Sequence, residues 1–546
     1  MKKLSAILCA FAVSLSLFSC GDSGSQNDGS GHMYDASLLH NPKSLDPQFA
    51  DDPSSNTVNS NLYSGLMKLD KSGSVVCDNA LSYDISDDGL IYTFQLRQDN
   101  YWFFDTNDND RIDDDEYFPV TAKDYAFAFQ RLLDPQMQSP HGEKFTCISG
   151  GEKALKGKIA PTSIGVTAPD DDTLIIQLEY PSAEFLRLLT LNSASPCNEE
   201  FFFSTKGRYG LDDKSVMSNG AFFVRQWFFD PYGSNNILYM RRNSVNSSDE
   251  NRTFPSYLSF SIEESEGDIS ALLKDRKIDC LTTLTTSAYP KRKYNITSER
   301  SLTLGLVFNP DDQTCSNFNL RKALAYSIDR PYLAENLSSD ITVASGLIPP
   351  AVSLLGRSYR ELVSDKSFAE YNPDMAVTYL NQAKSVLNVP SLGTVKLLVS
   401  TDTVDSGYLH MITQHWQEVL GFYIGIEEVT SAEFNQRLAS GDYQIALYPL
   451  TASYNSCISL IDEYVSCKYI NATGSTVYIA DNLKKCAEAS QLSQLLSDAE
   501  QKLLDEFCFI PLFYKNCYLV SGDENEDIIY DSFTGAIDFK IAKNYE

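Results

Sequence analysis

The sequence is short of positive charge. Its 546 residues hold 44 Lys and Arg against 73 Asp and Glu, a net charge of −29. No stretch of it is basic. That excludes a nucleic-acid surface, because neutralising a polyanion needs clustered cations, and it argues equally against electrostatic docking on anionic lipid. Beyond the first twenty residues no segment is long and apolar enough to span a bilayer. No CxxC occurs, so neither a zinc knuckle nor a thioredoxin-like site is indicated. GxSxG and HExxH are missing too. Histidine is rare, with five in all. His410 and His415 are spaced wrongly for a zinc pair on one helical face, and beside Trp416 they read as surface or packing residues. GGEKALKGK (150–158) has the wrong glycine spacing for a phosphate loop. No repeat of fixed period is present. The chain therefore reads as a protein that is not an enzyme.

What is there is globular: 43% hydrophobic and 12% aromatic residues, in a chain long enough for two or three packing units. It begins as an export signal, with Lys2 and Lys3 followed by the apolar run LSAILCAFAVSLSLF. The run ends in Leu17, Phe18, Ser19, Cys20 and Gly21. This resembles the lipobox of bacterial lipoproteins, with Phe18 bulkier than usual, and implies lipidation of Cys20. GDSGSQNDGSG (21–31) then reads as a flexible tether. Removing Cys9 and Cys20 leaves ten of twelve cysteines. Export permits disulfides; Cys457 with Cys467, and Cys508 with Cys517, are the pairs that spacing suggests, and buried thiols are the alternative.

From Met33 strands alternate with helices, which indicates an α/β protein. IYTFQLR (91–97), TLIIQLEY (173–180) and TVKLLVS (394–400) have strand character. TAKDYAFAFQRLLD opens with a capping box, Thr121 and Asp124, and places Tyr125, Ala128, Phe129 and Leu132 on one helical face. NLRKALAYSIDR (319–330) is a second amphipathic helix with Asn319 as N-cap. The stretch 481–506 is helical throughout, as one helix or two.

Nine segments in order carry a family resemblance over almost all of the chain past the signal. NPKSLDPQFADDPSSNTVNSNLYSGLMKLD (41–70) resembles the opening of the oligopeptide-binding family (family 5) of extracellular solute-binding proteins, which serve ABC importers. ALSYDISDDGLIYTFQLRQD (80–99), PVTAKDYAFAFQRLLDP (119–135), IGVTAPDDDTLIIQLEYP (164–181) and GAFFVRQW (220–227) follow. FNLRKALAYSIDR (318–330), GLIPP (346–350), YNPDMAVTYLNQA (371–383) and FIPLFY (509–514) complete the series. The resemblance implies an α/β, two-lobed periplasmic-binding-protein-like clamp of class II type, with an additional domain on the first lobe. By analogy the signal takes 1–20, the tether 21–32, the first lobe 33–78, 206–297 and 508–546, the appended domain 79–205 and the second lobe 298–507.

Against that pattern one insertion stands out. The family makes a short turn between its signature Trp and the PVTA helix start, whereas here sixteen residues separate Trp102 from Pro119. They contain DTNDNDRIDDDE (105–116), with seven acidic residues in twelve. The spacing fits an EF-hand calcium loop. Asp105, Asn107 and Asn109 take positions 1, 3 and 5; Arg111 offers its carbonyl at 7; Asp113 takes 9 and Glu116 takes 12. Asp110 stands where glycine normally makes the turn, a departure that costs strain. A structural Ca2+ is the expectation, and a solvated acidic hairpin tip the alternative. With one loop between a strand and a helix, a sensor role is not indicated.

The resemblance also implies a bound peptide, held extended between the lobes and paired through its backbone. Asn41, Pro42, Leu45 and Tyr63 fall at the first lobe's cleft edge by motif position, with core packing as the alternative. In the second lobe the family's Trp-x-Ala-Asp-Tyr becomes Leu450, Thr451, Ala452, Ser453 and Tyr454. The Asp that pairs with the peptide ammonium is replaced by Ser453, and a neutral hydroxyl cannot answer a buried charge. Either Asp462 or Glu463 does that work, or the solute has no free amine there. The expectation is a monomeric, lipid-anchored protein outside the cell that binds a peptide or peptide-like solute for an ABC permease, with no nucleic-acid partner. The alternatives are a surface sensor of signalling peptides and a binder of a non-peptide solute.

Overall fold

A computed structural model describes residues 28–71, 73–107, 109, 112–233, 235–248, 251–263, 265–364, 368–486 and 488–545. The export signal, Cys20, most of the tether, and Arg111 of the acidic loop lie outside the described residues. Alternation builds the first strand, Met33–Leu38, whose Tyr34, Ala36 and Leu38 turn inward. It pairs in parallel with Tyr257–Ile262, which is followed in the sheet by Ile237–Arg242 and Phe222–Phe228. A second four-stranded sheet, within residues 79–205, runs in the order Ala80–Ile85, Ile91–Leu96, Thr173–Gln177, Val166–Thr167. The helix Ala122–Leu132 packs on it through Tyr125, Phe129 and Leu132 and starts with the expected Thr121–Asp124 capping box. Phe94, Tyr125 and Phe129 share one continuous core with Leu62, Leu258 and Phe260, so this sheet and the first form one body.

The other body is built on a seven-stranded sheet. Its order is Cys280–Thr283, Phe509–Gly522, Tyr294–Phe308, Ile445–Leu450, Val395–Ser400, Ile424–Val429, with Ile341–Val343 also pairing to Phe509–Gly522. The two long strands, 15 and 14 residues, run antiparallel and belong to both bodies. Leu304, Leu306 and Phe308 lie in the second core with Phe509, Ile510 and Phe513. At the other end Tyr518 and Val520 pack with Ile269, Leu273 and Leu281, and Leu519 joins the first core. The boundary expected at residue 508 thus falls at the head of a strand whose first residues pack in the second body. Between the two ends the register slips: Glu299 faces Cys517 and Leu302 faces Lys515. Two residues, Arg300 and Ser301, oppose one, Asn516, which is a β-bulge that bends the ribbon where the chain crosses.

Local signals account for the helices. Asn317, not Asn319, caps Phe318–Tyr326, because its carboxamide oxygen reaches the N–H groups of Asn319 and Leu320 at 3.0 and 3.1 Å. Asp329 then starts a separate helix, Arg330–Asn336, with Pro331 in its first turn, where no N–H is needed. The long C-terminal pattern resolves into Gly474–Lys484 and Ala489–Asp505. All ten described cysteines are free thiols, so the suggested disulfides do not form. Cys457 and Cys467 flank a ten-residue helix, a span of about 15 Å, whereas a disulfide needs Cα atoms within about 7 Å. Cys508 and Cys517 are separated in the same way, along an extended strand.

Glu500 shows how the second body fixes the GLIPP segment. Its carboxylate is fully buried and accepts from the N–H groups of Leu347 (2.8 Å) and Ile348 (3.0 Å), from Tyr359 Oη (3.0 Å) and from Arg360 Nη2 (2.5 Å). Gly346 must lack a side chain, since a Cβ there would stand 2.4 Å from Arg360 Nη2 and 2.6 Å from Glu500 Oε1. Glu500→Ala leaves Arg360 and two peptide N–H groups buried and unanswered. Urea denaturation should show a loss of about 3–5 kcal/mol; an unchanged midpoint would contradict this role.

Candidate functional site

The first strand of the first body leads into a loop that is held from below. Leu45 is buried, its N–H donating to Gly210 O at 2.7 Å and its carbonyl accepting from Tyr63 Oη at 3.1 Å. Tyr63 is buried as well, with Tyr209 Oη 3.4 Å away. Gly220 lets this happen: a Cβ there would meet Tyr63 N at 2.7 Å. Next along the loop, Asp46 forms a buried ion pair with Arg131, whose guanidinium also stacks 4.2 Å over Phe202 and donates to Gln48 Oε1 at 2.6 Å. Pro42 is buried. Asn41 is half-buried and accepts a 2.8 Å hydrogen bond from Trp227 Nε1. Of the four predicted residues, then, Leu45 and Tyr63 are packing residues, and Asn41 is the one whose polar side chain lies near the surface.

In the second body the strand Ile445–Leu450 ends beside the start of the helix Cys457–Ser466. Ser456 caps that helix, accepting from the N–H groups of Ile458 (3.1 Å) and Ser459 (3.4 Å). Between them, Ala452 is fully buried in the second core, whereas Tyr454 packs into the core of the first body. Two residues of one turn, separated by Ser453, thus face different bodies. Ser453 is half-buried; its N–H donates to Ser459 Oγ at 3.0 Å, and the two hydroxyls lie 3.0 Å apart. Among the described residues no hydrogen bond joins Asn41, Pro42, Leu45 or Tyr63 to Ala452, Ser453 or Tyr454.

Tyr454 lies on a seam where the two bodies touch. Ala183 N–H donates to Cys486 O at 3.4 Å, and the Lys485 ammonium sits 5.6 Å from the centre of the Tyr180 ring. Asp462, one of the two predicted substitutes for the missing acid, is paired with Lys484 at 3.0 Å. Burial raises it to about 6, with Lys484 pulling down and Glu463 and Asp481 adding to the rise. Glu463 is half-buried beside it. Lys144 of the first body faces both acids, and burial lowers its proton affinity. One seam acid was not visible in the sequence: Glu184, 3% exposed, with neither carboxylate oxygen in a hydrogen bond. A lone Glu before an apolar helical turn has no spacing that marks it.

The acidic insertion is a hairpin tip. Tyr101–Phe103 pairs antiparallel with Tyr117–Pro119, so two strands flank the loop rather than a strand and a helix. Glu116, 2% exposed, accepts from Thr106 N (2.8 Å) and Thr106 Oγ1 (2.9 Å), and its other oxygen accepts from Asp113 N (3.2 Å). Asn107 and Asn109 both donate to Asp113 Oδ2, at 3.0 and 2.8 Å. Arg225 of the strand Phe222–Phe228 reaches Asp105 at 3.3 Å. The described residues of positions 3, 5, 9 and 12 are therefore joined to one another by hydrogen bonds, and position 1, Asp105, is engaged by an arginine. Among the described residues no group of three or more His, Cys, Asp or Glu is arranged to hold a metal.

Comparison with known proteins follows the same architecture. The model of the family described as "Bacterial extracellular solute-binding proteins, family 5 Middle" matches residues 74–472. The oligopeptide-binding protein OppA of Bacillus subtilis (strain 168) is 23% identical over 572 aligned positions, covering 99% of each chain. The substrate-binding domain of an oligopeptide ABC transporter from Bacillus anthracis str. Ames superimposes with a TM-score of 0.72 at 22% identity, over 94% of this chain and 99% of that one. The pheromone receptor PrgZ, whose solved structure concerns its mode of peptide binding, does so with a TM-score of 0.72 at 23% identity, over 94% and 100%. These likenesses make the fold that of the two-lobed binding proteins. No helix of the described residues is long and apolar enough to cross a membrane.

The raised Asp462 gives a signed prediction. Its ionised form weakens the fold, so its contribution to stability improves as pH falls from about 7 through 6 toward the ordinary 3.8. Asp462→Asn should remove that part of the pH dependence in urea melts taken across this range; an unchanged slope would show that Asp462 is not the group responsible.

Proposed function

Because this chain belongs to the bacterial extracellular solute-binding proteins of family 5, we propose that it captures an oligopeptide or peptide-like solute between its two bodies and delivers it to the permease of an ABC importer. The observation that carries this reading is Tyr454. It stands in the motif that the resemblance assigns to the peptide, rises from the second body and buries itself in the first, so the motif lies where closure brings the bodies together. Binding then works by differential affinity for the shut form. The names of the relatives, OppA and the peptide-binding PrgZ, support a peptide. Lipid attachment at Cys20 and a monomeric state are parts of the same proposal, supported by the lipobox and by the strongly acidic surface. Mass spectrometry of solute released from natively purified protein tests it: peptides are expected, and a single non-peptide compound in stoichiometric amount would overturn it.

Ser453 favours a narrower version of this reading, in which the solute carries no free α-ammonium. Ser453 is occupied by Ser459, Asp462 by Lys484, and Glu463 faces Lys144, so none of the three stands ready to answer a new cation. Calorimetric titration with free and N-acetylated forms of one co-purified peptide should show the acetylated form binding at least as well. A tenfold preference for the free amine, about 1.4 kcal/mol, would contradict it.

Calcium at the hairpin tip is the third part of the proposal. Asp105, Asn107, Asn109, Asp113 and Glu116 supply the hard oxygens that the ion prefers, and the fit requires Arg225 to release Asp105. The ion would pin the tip rather than signal. Chelator-treated protein should give calcium-binding heat that disappears in Asp105→Ala; no heat in the unmutated protein would remove calcium from the account.

A further inference from the structure

The seam holds a carboxylate outside the motif that the resemblance assigns to the peptide. Glu184 precedes the short helix Phe185–Leu188 of the first body. Its side chain is 3% exposed, and neither oxygen completes a hydrogen bond. Three groups of the second body crowd it: the Ser456 hydroxyl, whose oxygen caps its helix and whose hydrogen is left to face Glu184, the Tyr454 phenol and the Cys457 thiol. None carries a positive charge. From its own element the Arg187 guanidinium attracts it; Nη2 donates to Gly73 O at 3.0 Å, and Nη1 is buried without an acceptor of its own. The positive end of the helix Cys457–Ser466 offsets part of the cost. An ionised carboxylate shut away with only a hydroxyl to answer it loses hydration that its neighbours do not replace. Tyr454, Ser456 and Cys457 all belong to the other body, so parting the bodies removes their share of its cover.

We propose that Glu184 makes closure of the two bodies proton-sensitive: ionised, it opposes the shut seam, and protonated, it permits it. The sign follows from linkage. Burial raises the proton affinity of Glu184 above that of an ordinary Glu, so the shut form binds a proton that the open form does not, and falling pH favours closure. Asp462, on the same seam and raised to about 6, acts in the same direction, tempered by Lys484; Lys144, lowered by burial, faces Asp462 and Glu463 across the gap. An acid medium outside the cell would therefore tighten the hold on a solute. This consequence rests on the capture reading, whereas the latch itself does not.

Small-angle scattering of solute-stripped protein tests the latch without any solute. The radius of gyration should fall by about 1 Å, out of roughly 24 Å, as pH drops from about 7.5 to the ordinary Glu value of 4.5. Glu184→Gln, a neutral isostere, should be as compact at the higher pH as the unmutated protein is at the lower, and Asp462→Asn should keep most of the response. A radius that ignores pH in the unmutated protein, or a Glu184→Gln variant indistinguishable from it at the higher pH, would overturn the proposal. If Glu184→Gln fails to fold, the titration of the unmutated protein decides alone. Loss of the latch with peptides still co-purifying would leave the capture reading intact, and the reverse outcome would leave the latch.

Discussion

Everything in this molecule hangs on two paired strands that serve two cores at once. Tyr294–Phe308 and Phe509–Gly522 are hydrogen-bonded along their length, yet one end lies among Leu304, Phe308 and Phe513 and the other among Tyr518, Val520 and Leu281. A sheet ladder resists stretching but tolerates bending where its register slips; one slip falls at Arg300 and Ser301, between the two cores, and a second at Leu512, opposite Leu304 and Gly305, inside the second core. Relative motion of the bodies is thereby confined to flexing about one ribbon. A clamp needs that restriction, because a solute can bias closure only if the open and shut forms are discrete.

The rest of the site can be understood as preparation for a seam that meets cleanly. The loop after the first strand is fixed by the buried Asp46–Arg131 pair and by Tyr63, so it cannot collapse into the gap. Across from it, Ala452 anchors the turn after the strand Ile445–Leu450 while Tyr454 reaches over. Among the described residues the polar contacts of the seam are few: a long backbone hydrogen bond from Ala183, the Lys485 ammonium over the Tyr180 ring, Lys144 facing Asp462 and Glu463, and the buried Glu184. Such an interface holds without locking, which suits a protein that must release what it takes.

Much of the fold was legible in the sequence because its signals are local. The Thr121–Asp124 box, the alternation of Ile91–Leu96 and the periodicity of Ala122–Leu132 depend on neighbours within one turn or one pleat. The Asn317 cap was missed by two residues because two asparagines compete there and only geometry shows which oxygen reaches two N–H groups. Disulfides could not be judged from spacing, since a helix or a strand between two cysteines holds them apart. The site was legible as a motif and illegible as a surface. Leu45 and Ala452 keep the motif but point into cores, and Glu184 acquires its environment from residues about 270 positions away.

The central claim is that two bodies share one guest. Amide hydrogen exchange with and without the solute eluted from native protein measures this most directly. The account predicts that protection rises together at residues 41–45 of the first body and at residues 451–454 of the second, while the ladder between Leu304 and Phe513 stays as protected as before. Protection confined to one body, or none at all, would contradict it.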